Sequence, residues 1–504
     1  LNILKGLRKI MKRKFKLTIF TLMAVISISV ILYSCKTESD NTDLQAPAAE
    51  NTTEPANIAE EEISDNLPAR DFGGYNFRIY AEEEDNYTGY KHYNDIYVEE
   101  ENGDILNDAV FKRNRTVEER FNINITPVFF KDWGTPGEKS ILSGDDVFDM
   151  ISTHGMVSYF YADKNLVIDW ANMPYVDLTA AWWNQDIVDN CSYFGKLYAV
   201  TGDITHTTLE YTWCMFFNKD LFQNLGIEFP YQSVLDGIWT LDRFISIVKN
   251  GSADLNGDGA LTPDADRYGI DILNRWAYPV SVLYCGGDKI LKKDENGLPV
   301  LSVYNERTRN IYDKFFDMLE SGSACIGDLR HEIYGNPGSI KIFEEGRALF
   351  RDRSLGGFFE YRGLEHEIGI VPVPKYDEKT LKYYSLMEAG ARMMTIPVTV
   401  TDFERTSIIV EAMAAEGSKT VLPVFYEKAL KTKHARDDES EKMLDIIKDG
   451  AVVDYGYLNQ ALTSDLSLVG TKLVESSNTN FASFYEKLEG KVLTNIDNFI
   501  EANK

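Results

Sequence analysis

Between residues 36 and 67 the chain has no aromatic residue, nine acidic side chains and one basic one. A segment so poor in apolar groups cannot bury enough surface to offset the entropy of folding, and reads as a tether. What it separates constrains the fold most. About 435 residues follow from Ala69, and almost all of the 28 Tyr, 27 Phe and 7 Trp lie among them. One hydrophobic core rarely grows that large, so two or more lobes are expected.

The residues before the tether form a different unit. Lys12, Arg13, Lys14 and Lys16 make a basic patch, and an uncharged run of 17 residues follows from Leu17 to Tyr33. Leu32-Tyr33-Ser34-Cys35 closes it. A spanning helix wants about 20 apolar residues, slightly more than are present. The order of basic region, apolar region and small residue before a cysteine resembles a bacterial lipoprotein signal. That resemblance implies a signal peptide over 1–34, with translation starting at Met11, and acylation (palmitate-type lipid) of Cys35. Residues 35–69 would then tether a domain to the outer face of the cell membrane.

Charge narrows the partners. The formal charge is −27, and residues 1–34 contribute +7, leaving about −34 beyond them. Such a chain is unsuited to nucleic acid, whose phosphates need Lys and Arg, and to adsorption on anionic lipid. Cys191, Cys214, Cys285 and Cys325 match no zinc or redox spacing. An extracellular place permits disulfides, but the apolar setting of each favours buried thiols. There is no GxSxG, HExxH or P-loop, and the 6 histidines are scattered singly.

The periodicity is that of an α/β chain. Tyr75-Asn76-Phe77-Arg78-Ile79-Tyr80 alternates as a strand. Ile105, Leu106, Val110, Val117 and Phe121 predict a helix over 104–121. Val147 to Ile151 predicts a central strand. Met215-Phe216-Phe217 opens a second strand run, and Thr240 caps a helix. Residues 369–374 read as an edge strand because each proline lacks a donor. Ser407 to Ala415 is helical, and 422–500 mostly so.

Several of these segments, taken in order, resemble the extracellular solute-binding proteins of bacterial carbohydrate ABC importers, related to the maltose-binding protein type. They are Phe216-Phe217-Asn218-Lys219-Asp220-Leu221-Phe222, Gly226 to Pro230 leading to Trp239-Thr240-Leu241-Asp242, the helix-then-strand run Phe343 to Phe350, and Ile368 to Pro374. The nearest likeness is to large lipidated members from Gram-positive anaerobes. The resemblance implies an α/β, two-lobed periplasmic-binding-protein-like (class II) fold with hinged, discontinuous lobes. Lobe one would be 70–213 plus 384–425, and lobe two 214–383 plus 426–504 with the C-terminal helices. It implies a monomer that captures a mono- or oligosaccharide without catalysis and docks on permease subunits. The alternatives are a secreted carbohydrate-active enzyme and a binder of another polar solute such as a peptide.

Sugar recognition calls for flat aromatics against the ring and polar groups at its rim. Trp182 and Trp183 are candidates; in a strand they would point opposite ways, so at most one would face a ligand. His154 follows a predicted strand, where loops commonly hold ligands. Asp203, Glu210 and Tyr211 lie near the first crossover between lobes. Arg275, Trp276, Arg351 and Arg392 complete the set.

Asp254-Leu255-Asn256-Gly257-Asp258-Gly259 resembles the start of an EF-hand or dockerin calcium loop. Asp254, Asn256 and Asp258 occupy positions 1, 3 and 5. Ala260 offers a carbonyl at position 7, and Thr262 or a water serves at position 9. Position 12 is Ala265, so Asp264 or Asp266 must complete the loop. A single structural calcium is expected, clear of the sugar site.

Overall fold

The structure is a computed structural model. It describes residues 64–83, 94–130, 135–327, 341–430, 438–476 and 479–503. The chain divides into units at 1–61 and 62–504, and the described residues all fall in the second. The signal segment, Cys35 and the tether up to residue 63 lie outside the described residues. The described chain is engaged before Ala69: Asp65 pairs with Arg120 at 2.5 Å, and Leu67 packs on the core.

Two larger sheets are built from β1 (Tyr75–Glu82), β2 (Ile123–Phe130), β3 (Met150–His154), β4 (Trp213–Asn218), β5 (Tyr268–Ile272), β6 (Ala324–Ile326), β7 (Ala348–Ser354), β8 (Ile368–Val371) and β9 (Arg392–Thr395). The principal helices are α1 (Ile105–Phe121), α2 (Gly155–Asp163), α3 (Leu241–Gly251), α4 (Glu306–Glu320), α5 (Phe403–Leu430), α6 (Asp438–Asp449) and α7 (Phe481–Asn503).

The first sheet has the order β9-β3-β1-β2. β1 runs parallel to β2 and β3, and β9 is antiparallel to β3. Asp104 starts α1 by accepting from the backbone N–H of Leu106 and Asn107, and Asn122 ends it in the left-handed region at φ 51°. Leu106 and Val110 of α1 pack against Val421 and Phe425 of α5, so a helix late in the sequence roofs an early sheet. The strand expected over 147–151 is displaced to 150–154. Asp149 explains the shift: its carboxylate accepts from the Arg78 N–H and Nε and from the Tyr75 hydroxyl, which holds 146–149 out of the strand by side-chain bonds.

The second sheet has the order β8-β4-β7-β5-β6. β5 is parallel to β6 and β7, while β4 is antiparallel to β7 and β8. β8 is an edge strand, as expected, but it ends at Val371, ahead of both prolines, so the prolines stop the strand rather than sit within it. Thr240 caps α3 through the Arg243 N–H. The run expected as a helix before β7 is turn at 342–346.

The chain crosses from the first sheet to the second over 205–212 and returns over 387–391, and the two passages are zipped together. Glu388 N–H donates to the Tyr211 carbonyl at 3.0 Å, and Arg392 N–H to Thr207 Oγ1 at 2.9 Å. Past α6 the chain is a series of short helices and then α7. One end of α7 packs on Tyr304 and Tyr312, and the other on Tyr193 and Phe194. The four described cysteines are buried free thiols. No described helix is long and apolar enough to cross a membrane.

Candidate functional site

A cavity of about 930 Å³ opens where the first-sheet strand ends, the return passage and the C-terminal helices meet the segment after β5. His154 and Met156 enter from the β3–α2 junction, Glu388 from the return passage, and Trp276 from beyond β5. Tyr457, Gln460, Asp465, Lys472, Lys491 and Asn495 line the remaining side.

Each group is held by local chemistry. His154 Nδ1 accepts from the Met156 N–H at 3.3 Å, which places the imidazole at the start of α2. Glu388 is fixed at both oxygens: Oε2 accepts from the Gly390 N–H at 2.7 Å and Oε1 from the Tyr457 hydroxyl at 3.1 Å. Burial pushes its carboxyl above the usual range, partly offset by those hydrogen bonds. Trp276 keeps 43% of its surface exposed, with its backbone N–H donating to Asn274 Oδ1. The Arg275 guanidinium lies 5.9 Å from the Trp276 ring centroid. Lys472 and Arg275 approach one carboxylate, Glu475, at 3.1 and 3.7 Å. Ser464, on the wall, has φ 52° and ψ −142°, a region that non-glycine residues avoid at a cost of about 1–3 kcal/mol. The lining thus combines aromatic faces, acids, lysines and amides, the mixture suited to a polyhydroxylated molecule.

Of the residues expected at a ligand, this cavity brings together His154 and Trp276. The others are placed elsewhere, each for a reason. Trp182 and Trp183 are 8% and 1% exposed, and do not alternate across a strand. Both indole N–H groups donate to one buried carboxylate, Glu411 of α5, at 3.0 and 2.9 Å, so both belong to the core. Arg351 is buried in the second sheet and pairs with Asp271 at 2.8 Å. Arg392 is buried in the first and pairs with Glu82 at 2.9 Å. Glu210 is buried with His206 Nδ1 3.1 Å away, and its carbonyl accepts from the Gly356 N–H. The Tyr211 ring packs where a Cβ on Gly390 would stand 2.2 Å from it, which explains the glycine. Asp203 faces Lys448, and burial raises its carboxyl to about 7. Arg275 lies beside the Trp276 ring but not in the cavity lining.

Glu388, Tyr457 and the polar groups of the C-terminal helices escaped the sequence reading. The zipped passages carry a signal for Glu388, since it directly precedes Ala389-Gly390 beside the crossover. The C-terminal residues carry none, because they are spread over some forty positions of amphipathic helix.

The 254–266 loop folds on its own side-chain oxygens. Asp254 accepts from the N–H of Gly257 and Gly259, Asn256 from Asp258, and Asp258 from Ala260. Asp266, buried, turns back to accept from the N–H of Leu255 and Thr262 and from the Thr262 hydroxyl, while Asp264 is exposed. Asp266 thus closes the turn by hydrogen bonds to its backbone. Among the described residues no group of three or more His, Cys, Asp or Glu is placed to hold a metal.

No family model and no curated protein matches the sequence. Solved structures do share its fold. A cyclic alpha-maltosyl-1,6-maltose binding protein from Arthrobacter globiformis aligns at TM-score 0.56 and 14% identity, over 84% of this chain and 100% of that one. A sugar transporter from Rhizobium etli, in an open conformation, aligns at 0.55 and 12%, over 83% and 99%. An ABC substrate-binding protein from Listeria monocytogenes in complex with cycloalternan aligns at 0.52 and 13%, over 85% and 99%. At such identities the likeness is one of architecture: this chain has the two-lobed α/β fold of periplasmic-binding-protein-like molecules.

Proposed function

We propose that this protein is a non-catalytic solute-binding protein that captures a carbohydrate between its lobes and passes it to the permease subunits of an ABC importer. The observation that carries this reading is the cavity of about 930 Å³, with an exposed tryptophan on one side and half-buried, hydrogen-bonded Glu388 on another. Ligand sites run roughly 300–1,000 Å³, so this one suits several sugar rings better than one. The fold relatives named above for a maltosyl-maltose and for cycloalternan support that choice. In this reading the paired passages 205–212 and 387–391 are the hinge, and the lobes divide near 213 and 384. The protein acts as a monomer. Thermal shift against linear and cyclic glucose oligosaccharides tests the reading, since only solutes that bind the folded state raise the melting temperature. A flat response across the panel contradicts it.

Two further parts belong to this proposal. Lipid on Cys35 would hold the domain at the outer face of the membrane, where two or more acyl chains make a stable anchor. Cys35→Ala should release the protein to the medium; retention at the membrane would refute the anchor. Calcium would bind the 254–266 loop through Asp254, Asn256, Asp258 and Asp266, with Ala260 and Thr262 supplying further oxygens. It would stiffen the entry to β5 and leave the sugar site unaltered.

A further inference from the structure

A second cavity, of about 300 Å³, shares no lining residue with the first but is built on the same elements. His154 and Met156, at the start of α2, face the large cavity, whereas Tyr159 and Asp163, further along it, face the small one. On α7, Asn495 belongs to the large cavity and Phe499 to the small one. Tyr457 and Tyr455 divide the same way.

One wall of the small cavity is aromatic. Tyr455 lies 5.1 Å from Tyr159 and 4.8 Å from Tyr193, centroid to centroid, and Phe499 lies 6.0 Å from Tyr193. The Tyr159 hydroxyl is buried with no oxygen or nitrogen partner, only the Cys191 thiol beside it. The opposite rim is polar: Asp163, Asn165, Lys196 and Asn503. Asp163 accepts from Asn459 Nδ2 at 3.0 Å. Burial raises its carboxyl to about 6, although the residue as a whole is exposed at the mouth, and no basic side chain offsets that cost. Lys196 reaches Asn503 Oδ1 at 3.4 Å.

Charge decides what such a site can hold. An organic cation would meet Lys196, and also Lys293, whose Nζ already lies 5.0 Å from the Tyr193 ring centroid. An anion would meet Asp163. A neutral ring with one apolar face and a hydroxyl edge meets neither objection. Its hydroxyls can donate to the Asp163 carboxylate and accept from the ammonium and the amides. The volume, at the small end of the ligand range of roughly 300–1,000 Å³, admits one ring and not a chain.

We propose that this cavity is a second binding site, for a single neutral pyranose, behind the main cleft. Its occupant would brace α2 against α7, the two helices that also line the cleft. The inference rests on residues outside the cleft and stands whether or not the cleft takes an oligosaccharide.

The test is calorimetric titration of the full-length protein with D-glucose, D-galactose and D-mannose, with choline as a cationic control. Two variants address the rim. Asp163→Ala removes the carboxylate; Asn165→Gly removes an amide while keeping the left-handed backbone at φ 57°. A cleft variant, Trp276→Ala, completes the set. Saturable binding of at least one monosaccharide is expected, weakened about tenfold by either rim variant, a loss of about 1.4 kcal/mol, and unchanged by Trp276→Ala. Circular dichroism on each variant separates this loss from unfolding. The proposal fails if no monosaccharide binds, if Trp276→Ala abolishes the binding while both rim variants keep it, or if choline binds as tightly as the sugars.

Discussion

The Tyr457 hydroxyl donates to Glu388 Oε1 at 3.1 Å, joining the C-terminal helices to the passage by which the chain returns to its first sheet. The contact sits on the wall of the large cavity, so one hydrogen bond ties the hinge region, the late helices and the ligand site together. Glu388→Gln removes the charge and keeps the shape. It should lower carbohydrate affinity by about 10- to 100-fold, since hydrogen bonds to charged groups are worth about 1.5–3 kcal/mol. Tyr457→Phe should have a smaller effect in the same direction. Titration calorimetry decides; wild-type affinity in both variants would remove Glu388 from the site.

The tryptophans should separate by role. Trp276→Ala removes an exposed ring and should weaken binding with little change in melting temperature. Trp183→Ala empties a fully buried site and should cost about 3–5 kcal/mol of stability, with affinity unchanged in the molecules that remain folded. Chemical denaturation and titration of both variants check this pair. The opposite assignment of effects would restore Trp183 as a ligand contact.

Glu411 predicts a pH dependence. Burial raises its carboxyl to about 7, opposed by the hydrogen bonds from the indoles of Trp183 and Trp182. A folded value above the ordinary value of about 4.3 means the folded state binds the proton more tightly than the unfolded state. The stability this group contributes is therefore fully present below about pH 4.3 and is lost as pH rises through about 7. Glu411→Gln turns an amide toward two indole donors and should destabilise at every pH. Its deficit relative to wild type should shrink between pH 5 and pH 8. Melting curves that stay parallel across that range would contradict the assignment.

The metal loop gives two separable expectations. Asp266→Ala strands the N–H groups of Leu255 and Thr262 and should cost about 1–3 kcal/mol even without metal, the penalty for unsatisfied donors. Millimolar calcium added to EDTA-treated protein should raise the melting temperature, and Asp258→Ala should abolish the rise. No shift, with no heat of calcium binding, would leave the loop as a turn closed by its own hydrogen bonds.

Much of the architecture was legible because it depends on local pattern. The period-2 run at 75–80, the cap at Thr240 and the proline-marked edge at β8 each state their geometry within a few residues. The misplacements came from partners far along the chain. Asp149 meets Arg78 71 residues away and shifts β3. Trp183 meets Glu411 at a separation of 228 and becomes core. Of the candidate site, only His154 and Trp276 were legible, for the same reason. His154 and Trp276 follow strand-like runs and stand out by residue type, whereas Glu388 and the helix residues beyond 455 acquire meaning only when the return passage and the late helices converge.

The most direct test of the central claim is titration of the purified protein with linear and cyclic glucose oligosaccharides, followed by analysis of the recovered sugar. The account predicts saturable one-to-one binding in the cleft by at least one of them, lost in Trp276→Ala, with the sugar recovered intact. Shortened products, or no binding by any oligosaccharide to protein that melts cooperatively, would contradict it.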